Sequence, residues 1–303
     1  MEKHHFETIT DLTRFMGLPD PENPMFYVVT MEFTGDEEQA THESLSLTNN
    51  FYTISLKKVL SGELLYGRTK YDCDNGSMIF MAPNQEATMQ GITVAGKASL
   101  ICMHDDFLKG HELRDRVRKY GYFSYTANEA LHLSPKEEQI IQAIFDSLRL
   151  EYQNNQDQFS KELILSQLDT LLKYSDRFYQ RQFLDRKELS NDLRTKFESI
   201  LIELLQSGRL KLEGIPPIKD IAVKLGVSSR YLSDALKSQT GSTALQTIHT
   251  FLVEEAKSLL LEKNLTIEQT STTLGFSYPE NFSKLFKRKL GLSPREYREQ
   301  FQN

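Results

Sequence analysis

The sequence predicts a multidomain α+β protein whose N-terminal part is rich in β-strands and whose C-terminal part is entirely helical. Three observations support this prediction. Short runs of aromatic and β-branched residues fill the first third of the chain, with Gly, Pro and Asn between them. From about residue 134 onward, apolar residues recur at helical spacing. The last hundred residues contain an internal repeat whose two copies are offset by 49 residues.

Five segments of the first third are predicted to be strands: 25–33, 51–60, 77–82, 92–94 and 99–103. In the second of these, Tyr52, Ile54 and Leu56 alternate with other residues and therefore share one face. Many short strands separated by turn residues favour a β-sandwich or a β-barrel. The order of the strands in the sheet does not follow from the sequence.

Two helices are predicted to follow the strands. The sequence Ser-Pro-Lys-Glu at 134–137 is a capping box with proline at the first helical position. Apolar positions then recur at helical spacing up to Leu148, and a second stripe runs from Ile164 to Phe178 beyond the polar segment 153–158. Two such helices can form an antiparallel pair. Their apolar faces could pack on the barrel, or one face could be shared with a second copy of the chain.

The composition, with 39% hydrophobic and 26% charged residues among 303, is that of an ordinary soluble protein. The length predicts two domains of about 100–200 residues. The net charge of −6 is uneven, because residues 1–191 carry −9 and residues 192–303 carry +3. The C-terminal part could therefore meet a nucleic acid although the whole chain is acidic.

Several features indicate a cytoplasmic protein without a membrane partner. No apolar run approaches the roughly 18 residues of a membrane span. The N-terminus lacks the apolar stretch of a secretory signal. Two cysteines, Cys73 and Cys102, are too few for a disulfide framework.

The internal repeat has the pattern of two helix-turn-helix units. Segments 222–228 (AVKLGVS) and 271–277 (STTLGFS) share one pattern: a small residue, two variable residues, Leu-Gly, an apolar residue and Ser. The glycine suits a turn with positive φ, and the serine suits the N-cap of the next helix. Apolar residues four apart follow in each copy, Leu232 and Leu236 in the first and Phe282 and Phe286 in the second, one residue further along.

A helix is predicted over 248–263, between the two units. Such a helix could hold the units a fixed distance apart. Successive major grooves on one face of B-DNA are roughly 34 Å apart. One chain could then insert a recognition helix into each groove.

The C-terminal third resembles the AraC/XylS family of transcriptional regulators. The resemblance is carried by LGF at 274–276, FSKLFKR at 282–288 and GLSPREYR at 291–298, and EAKSLL at 255–260 resembles the family's linker helix. It implies sequence-specific binding to a double-stranded DNA operator and control of transcription initiation, usually as an activator that contacts RNA polymerase. Segment 74–83 (DNGSMIFMAP) more loosely resembles the cupin-like regulatory barrels that often accompany such domains.

These observations predict four segments. Residues 1–133 form a cupin-like β-barrel that senses an effector, and residues 134–184 form two connector helices that could dimerise the protein. The charged segment 185–191 is the linker. Residues 192–303 form an all-α DNA-binding domain with two helix-turn-helix units.

In the first unit, the recognition helix is expected to begin near residue 228, with Leu232 and Leu236 facing the core. By family position, the base-facing residues are expected to be Arg230, Ser233 and Asp234. Ser229 and Lys237 are expected to position the helix by contacting phosphate, or to be packing groups. Arginine can bind guanine O6 and N7 together. Arg230 could instead be solvated or bound to phosphate. Asp234 could accept a hydrogen bond from cytosine N4, or it could lower DNA affinity because it repels phosphate.

In the second unit, the base-facing residues are expected to be Pro279, Glu280, Asn281 and Lys284. Asn281 can bind adenine N6 and N7. Glu280 could instead form a capping box with Ser277. Lys287 and Arg288, in a basic run after Phe286, are expected to contact phosphate.

Four residues depart from the family pattern. Asp234 is one of them, because the corresponding position of the first recognition helix is often basic in relatives. Thr270 and Ser271 replace the usual Ile-Ala pair, and two hydroxyl groups there would weaken packing unless they bind backbone carbonyls. Leu252 stands where an arginine is common in the linker helix.

An enzyme is the main rival class, since cupin-like barrels also house metal-dependent enzymes. Of the seven histidines only His4 and His5 are close in sequence, and neighbours on a strand point in opposite directions. The chain has neither a glycine-rich phosphate loop nor a Gly-x-Ser-x-Gly elbow. We therefore expect no enzymatic activity, no metal and no cofactor.

The function of the N-terminal part has two alternatives. It could bind a small-molecule effector, or it could be only a dimerisation or protein-interaction module. Six aromatic residues could line an effector pocket or could form the core: Phe26, Tyr27, Phe51, Tyr52, Tyr66 and Phe80.

Overall fold

The computed structural model describes residues 2–33, 45–64, 76–125, 129–154, 157–185, 187–262 and 264–301. The chain divides into two compact units, Met1–Asp185 and Arg186–Asn303. Two residues named in the sequence analysis, Cys73 and Tyr66, lie outside the described residues. Among the helices of the described residues, none is long and apolar enough to cross a membrane.

The N-terminal unit contains a mainly antiparallel sheet. Its described strands are β1 (Glu2–Phe6), β2 (Phe26–Phe33), β3 (Leu45–Asn49), β4 (Tyr52–Leu64), β5 (Ser77–Met81), β6 (Ala87–Met103) and β7 (Leu131–His132). The order is β1-β3-β6-β4-β5-β7, and β2 pairs with β6. Only the pairing of β1 with β3 is parallel among these.

The predicted closed barrel is not observed. One edge of β6 pairs with β4, and the other edge is shared between β2 and β3. The sheet therefore branches at β6, and no pairing among the described strands joins β1 to β7. A mixed α/β architecture with an N-terminal antiparallel sheet is what the structure supports.

The two short strands predicted at 92–94 and 99–103 are parts of one strand, β6. Its register against β4 shifts, so that Leu56 pairs with Ser99 but Lys58 pairs with Ala95. Such a bulge lets a strand continue through an irregular stretch. The prediction of two strands was wrong because the irregularity in the sequence is absorbed by pairing and does not end the strand.

The helices of this unit are α1 (Ile9–Phe15), α2 (Leu113–Val117), α3 (Pro135–Gln153) and α4 (Ser160–Asp185), with 3-10 turns at Asp105–Leu108 and Gly121–Ser124. The predicted capping box before α3 is confirmed, because Ser134 and Glu137 exchange the two reciprocal hydrogen bonds.

The apolar face of α4 is buried within the unit. Leu168, Leu171 and Leu172 are fully buried. The Tyr122 hydroxyl donates to the carbonyl of Leu172 over 3.0 Å, and the backbone N–H of His132 donates to Oε1 of Gln182 over 2.8 Å. These contacts support the alternative in which the apolar face of α4 packs on the rest of its own unit.

The predicted aromatic residues of this unit belong to its core. Five of them are at most 7% exposed: Phe26, Tyr27, Phe51, Tyr52 and Phe80. Their rings pack against neighbouring rings, as Phe26 does against Phe107 at 4.9 Å between centroids. Cys102 is also buried, and burial raises the pKa of its thiol. This agrees with its interpretation as a small apolar residue.

The C-terminal unit is helical throughout its described residues. Its helices are α5 (Lys187–Gln206), α6 (Arg209–Glu213), α7 (Ile218–Leu225), α8 (Ser229–Thr240), α9 (Ala244–Leu261), α10 (Ile267–Thr273), α11 (Pro279–Leu290) and α12 (Pro294–Phe301). Segment 185–191, assigned to the linker from the sequence, covers the end of α4 and the beginning of α5. One core joins the helices, and Leu232, Ile248, Leu274 and Phe286 are among its fully buried members.

Candidate nucleic-acid interface

The first helix-turn-helix unit consists of α7 and α8. Helix α7 ends at Leu225, and the next residue, Gly226, has a φ of 72°, in the left-handed region. Ser228 then caps α8, because its side chain accepts a hydrogen bond from the backbone N–H of Tyr231. Leu232 and Leu236 are buried against the core. The predicted turn, cap and buried face are confirmed in this unit.

The residues proposed to read DNA in this unit lie along α8. Arg230 and Lys237 are exposed, while Ser229, Ser233 and Asp234 are half-buried. Arg230 and Asp234 form an ion pair, in which Nε of Arg230 donates to Oδ2 of Asp234 over 2.9 Å. The charge of Arg230 is therefore already partnered on its own helix.

The second unit consists of α10 and α11, and its turn is more crowded than the first. Gly275 has a φ of 84°. A Cβ atom at this position would lie 2.9 Å from the carbonyl oxygen of Leu210 and 3.0 Å from the backbone nitrogen of Ile215. At Gly226, by contrast, a Cβ would meet no atom of the described residues within 4 Å. The second turn thus requires glycine for space as well as for conformation.

The start of α11 differs from the prediction. Tyr278 occupies the N-cap position, and no side chain accepts a capping hydrogen bond there. The predicted cap at Ser277 and its capping box with Glu280 were wrong. The second copy of the repeat has one more residue between its glycine and its buried aromatic residues, which moves the helix start beyond the serine. Pro279 occupies the first helical position, where its missing N–H costs nothing because a backbone N–H there would have no partner within the helix.

Helix α11 presents a positive surface. Glu280, Asn281 and Lys284 are exposed, and Pro279 is half-buried. Lys287, Arg288 and Lys289 follow, also exposed. Phe282 and Phe286 on the opposite face are buried, as predicted. Four cations and one anion on twelve residues make this helix the more basic of the two recognition helices.

The basic run at the end of α11 lies next to α9. The Lys289 Nζ donates to Oγ1 of Thr250 over 3.2 Å. Burial, followed by the positive charges of Arg288 and Lys289, lowers the pKa of His249. The His249 imidazole on α9 therefore lies in the positive electrostatic field of these two side chains.

The two hydroxyl groups that depart from the family pattern have different environments. Both Thr270 and Ser271 are fully buried. The Thr270 hydroxyl donates to the carbonyl of Thr266 over 3.0 Å. Within the part of the chain that the structure describes, the Ser271 hydroxyl has no hydrogen-bond partner. Ala222 holds the corresponding position of the first unit.

Helix α9 begins four residues before its predicted start. Thr243 and Gln246 form a capping box that places the first helical residue at Ala244. Leu252, where the family commonly has arginine, is buried in the core. The other end is held by Arg298 of α12, which donates from Nε to the carbonyl of Leu260 over 2.9 Å and from Nη2 to that of Leu265 over 2.8 Å.

Helix α5 is the main part of this unit that the sequence did not predict. Phe197, Leu201 and Leu204 on α5 join the common core. Their spacing of four and three residues is the signal that could have found the helix. The domain boundary was instead predicted at segment 185–191, because that segment is rich in charged residues.

Comparison with known proteins places this unit in a family. The family model described as a helix-turn-helix domain matches residues 221–300. The chain is 38% identical over 68 residues to the HTH-type transcriptional regulator YobQ of Bacillus subtilis, covering 22% of this chain and 28% of YobQ. It is 34% identical over 86 residues to the Msm operon regulatory protein of Streptococcus mutans, covering 28% and 31%. The matches thus span less than a third of either relative.

A solved structure with similarity to the chain is the C-terminal domain of AraT, a response regulator from Geobacillus stearothermophilus. The identity is 27%, the TM-score is 0.32, and the match covers 37% of this chain and 86% of that one. The family match, over residues 221–300, covers the repeat, the turns and the basic helix described above. The C-terminal region of this chain therefore carries an AraC/XylS-type helix-turn-helix domain, the DNA-binding domain of transcriptional regulators.

Proposed function

We propose that this chain is a sequence-specific DNA-binding regulator of transcription that places α8 and α11 in successive major grooves. The observation that carries the proposal is the presence, on one core, of two helix-turn-helix units, each with an exposed polar face on its second helix. Helix α9 between them has 18 residues and is about 27 Å long. This length is of the same order as the roughly 34 Å between successive grooves.

The two recognition helices would make different contributions. On α11, Lys287 and Arg288 would bind phosphate, which supplies affinity and makes binding depend on salt. Glu280, Asn281 and Lys284, at the start of the same helix, would face base edges. On α8, Arg230 and Ser233 would read bases, with Ser229 and Lys237 on phosphate.

The N-terminal unit would regulate this activity, and two mechanisms are open to it. The first is response to a small-molecule effector, with the protein acting as an activator that contacts RNA polymerase. The second is dimerisation or binding of another protein. Five aromatic residues do not support the effector mechanism, because their side chains are buried in the core: Phe26, Tyr27, Phe51, Tyr52 and Phe80. We expect the protein to act in the cytoplasm, without a cofactor.

The test is selection of bound sequences from a random DNA pool with the full chain. We expect enrichment of a site with two sequence blocks about one helical turn apart. Lys287→Ala should weaken binding to every DNA sequence and reduce the slope of log affinity against log salt by about 1. Lys196→Ala, which removes an exposed lysine of α5, is the control and should change neither. Failure of the folded chain to enrich any sequence, with and without cell extract as a source of effector, would overturn the proposal.

A further inference from the structure

The two recognition helices carry pairs of opposite charge at corresponding positions but in opposite order. When the helices are aligned on their buried residues, Arg230 of α8 corresponds to Glu280 of α11. Asp234 corresponds to Lys284 in the same way. The members of each pair are four residues apart and therefore lie on one helix face.

Only the first of these pairs is closed. The Nε atom of Arg230 lies 2.9 Å from Oδ2 of Asp234. Among the described residues, which include both members of the second pair, no ion pair joins Glu280 to Lys284. The side chain of Asp234 is 24% exposed and that of Arg230 is 52% exposed. The carboxylate is thus the more enclosed partner, and the guanidinium group extends beyond it.

The geometry of the contact matters for base recognition. A guanidinium group has a side edge, which includes Nε, and an end edge, which has one N–H from each Nη atom. Asp234 accepts from Nε and so occupies the side edge. The acceptors O6 and N7 of a guanine fit two parallel N–H donors, such as those of the end edge. A carboxylate and a guanine can therefore bind the same arginine at once.

We propose that Asp234 is a positioning residue, which orients Arg230 so that the first unit reads a guanine, and that Asp234 itself contacts no base. The inference rests on the proposed function, and it specifies that α8 recognises a guanine. An arginine oriented before binding loses less conformational freedom when it meets its base. The ion pair also reduces the repulsion between the carboxylate and nearby phosphates.

The alternative for Asp234 is direct recognition of cytosine N4. That contact would require the carboxylate to turn away from Arg230 toward the DNA. The observed pair, with the more enclosed acid and the more exposed base, favours the orientation in which the arginine reaches outward.

The experiment compares base preferences of the full chain and its variants, measured on the site selected by the wild-type chain and on every single-base change in it. We expect the wild-type chain to prefer guanine at one position of the first block by about tenfold to hundredfold. Arg230→Ala should remove this preference. Asp234→Ala should weaken it at the same position by about tenfold, and the double variant should lose no more than Arg230→Ala alone.

The conservative variant separates positioning from charge. Asp234→Asn keeps an oxygen that can accept from Nε but removes the negative charge. It should retain the full guanine preference of the wild-type chain, whereas Asp234→Ala should weaken that preference. The second pair is the matched control, because Glu280→Ala and Lys284→Ala should change base preference independently of each other.

Three results would overturn the inference. Relaxed preference at a different base pair in Asp234→Ala would show direct reading by the carboxylate. If Asp234→Ala bound every DNA sequence more tightly than the wild-type chain by the same factor, with every base preference intact, the residue would act only by its charge. Additive losses in the double variant would show that the two residues act separately. If the wild-type chain selects no sequence at all, the proposed function fails and the inference falls with it.

Discussion

Alanine substitution at the two turn glycines should separate the conformational from the steric requirement of a helix-turn-helix turn. Both Gly226 and Gly275 have a positive φ. A residue with a Cβ atom in this conformation is destabilised by about 1–2 kcal/mol. At Gly226 none of the described residues has an atom within 4 Å of the added Cβ. Gly226→Ala should therefore lower the free energy of unfolding by this amount alone.

At Gly275 a second term adds to the first. The new Cβ would lie 2.9–3.1 Å from three backbone atoms, in Leu210, Gly214 and Ile215. Backbone atoms cannot turn aside as the end of a long side chain can, and overpacking of this kind is destabilising by about 1–3 kcal/mol. Gly275→Ala should therefore lower the free energy of unfolding by roughly 2–5 kcal/mol in total. That is a large share of the 5–15 kcal/mol typical of a domain.

The assay is native-state hydrogen exchange of the full chain without DNA, followed in the amides of α10 and α11. Gly17→Ala is the control, because Gly17 also has a positive φ and open space around it but lies in the N-terminal unit. Equal losses from Gly226→Ala and Gly275→Ala would refute the argument, since the close approach to Leu210 would then have no energetic effect.

Three further predictions concern the same unit. Ser271→Ala should raise the free energy of unfolding by about 1–3 kcal/mol, because it removes a buried hydroxyl without a partner; urea unfolding would show it, and unchanged stability would indicate that the hydroxyl is satisfied. Arg298→Ala should lower protection of the last turn of α9 by about 2 kcal/mol in hydrogen exchange, because two carbonyl groups lose a charged donor; equal loss throughout the unit would contradict a local role. Because the pKa of His249 is lowered in the folded chain, the unfolded chain takes up its proton more readily, and stability should fall as the pH drops below about 6.5; His249→Gln should flatten that slope in urea titrations at several pH values, and an unchanged slope would show that other groups cause it.

The repeat made the helix-turn-helix units predictable because its landmarks are local. A left-handed glycine and an N-cap serine depend on a few neighbouring residues, and at Gly226 and Ser228 both occur as expected. The second unit broke the prediction at Ser277, where one extra residue moved the cap to Tyr278. Pattern matching aligned the turns, whereas helix geometry follows the buried residues.

The sheet and the contacts of the site depended on information that periodicity does not contain. The branching of the sheet at β6 results from which strands share its two edges, a long-range choice. The ion pair between Arg230 and Asp234 depends on side-chain orientation. The spacing of the two residues was readable from the sequence, but their pairing with each other was not. Gly275 is similar, because its crowding comes from residues about sixty positions earlier in the chain.

The extra residue in the second turn affects any attempt to exchange reading residues between the two units. One residue corresponds to about 100° of rotation around a helix axis. A graft that follows the offset of the turns, 49 residues, would rotate the donor side chains by about 100° around the helix, away from the groove. An offset of 50 residues, which matches Leu232 with Phe282 and Leu236 with Phe286, keeps the grafted face outward. Chimeric regulators with new operators should therefore be designed by superposing the cores of the helices.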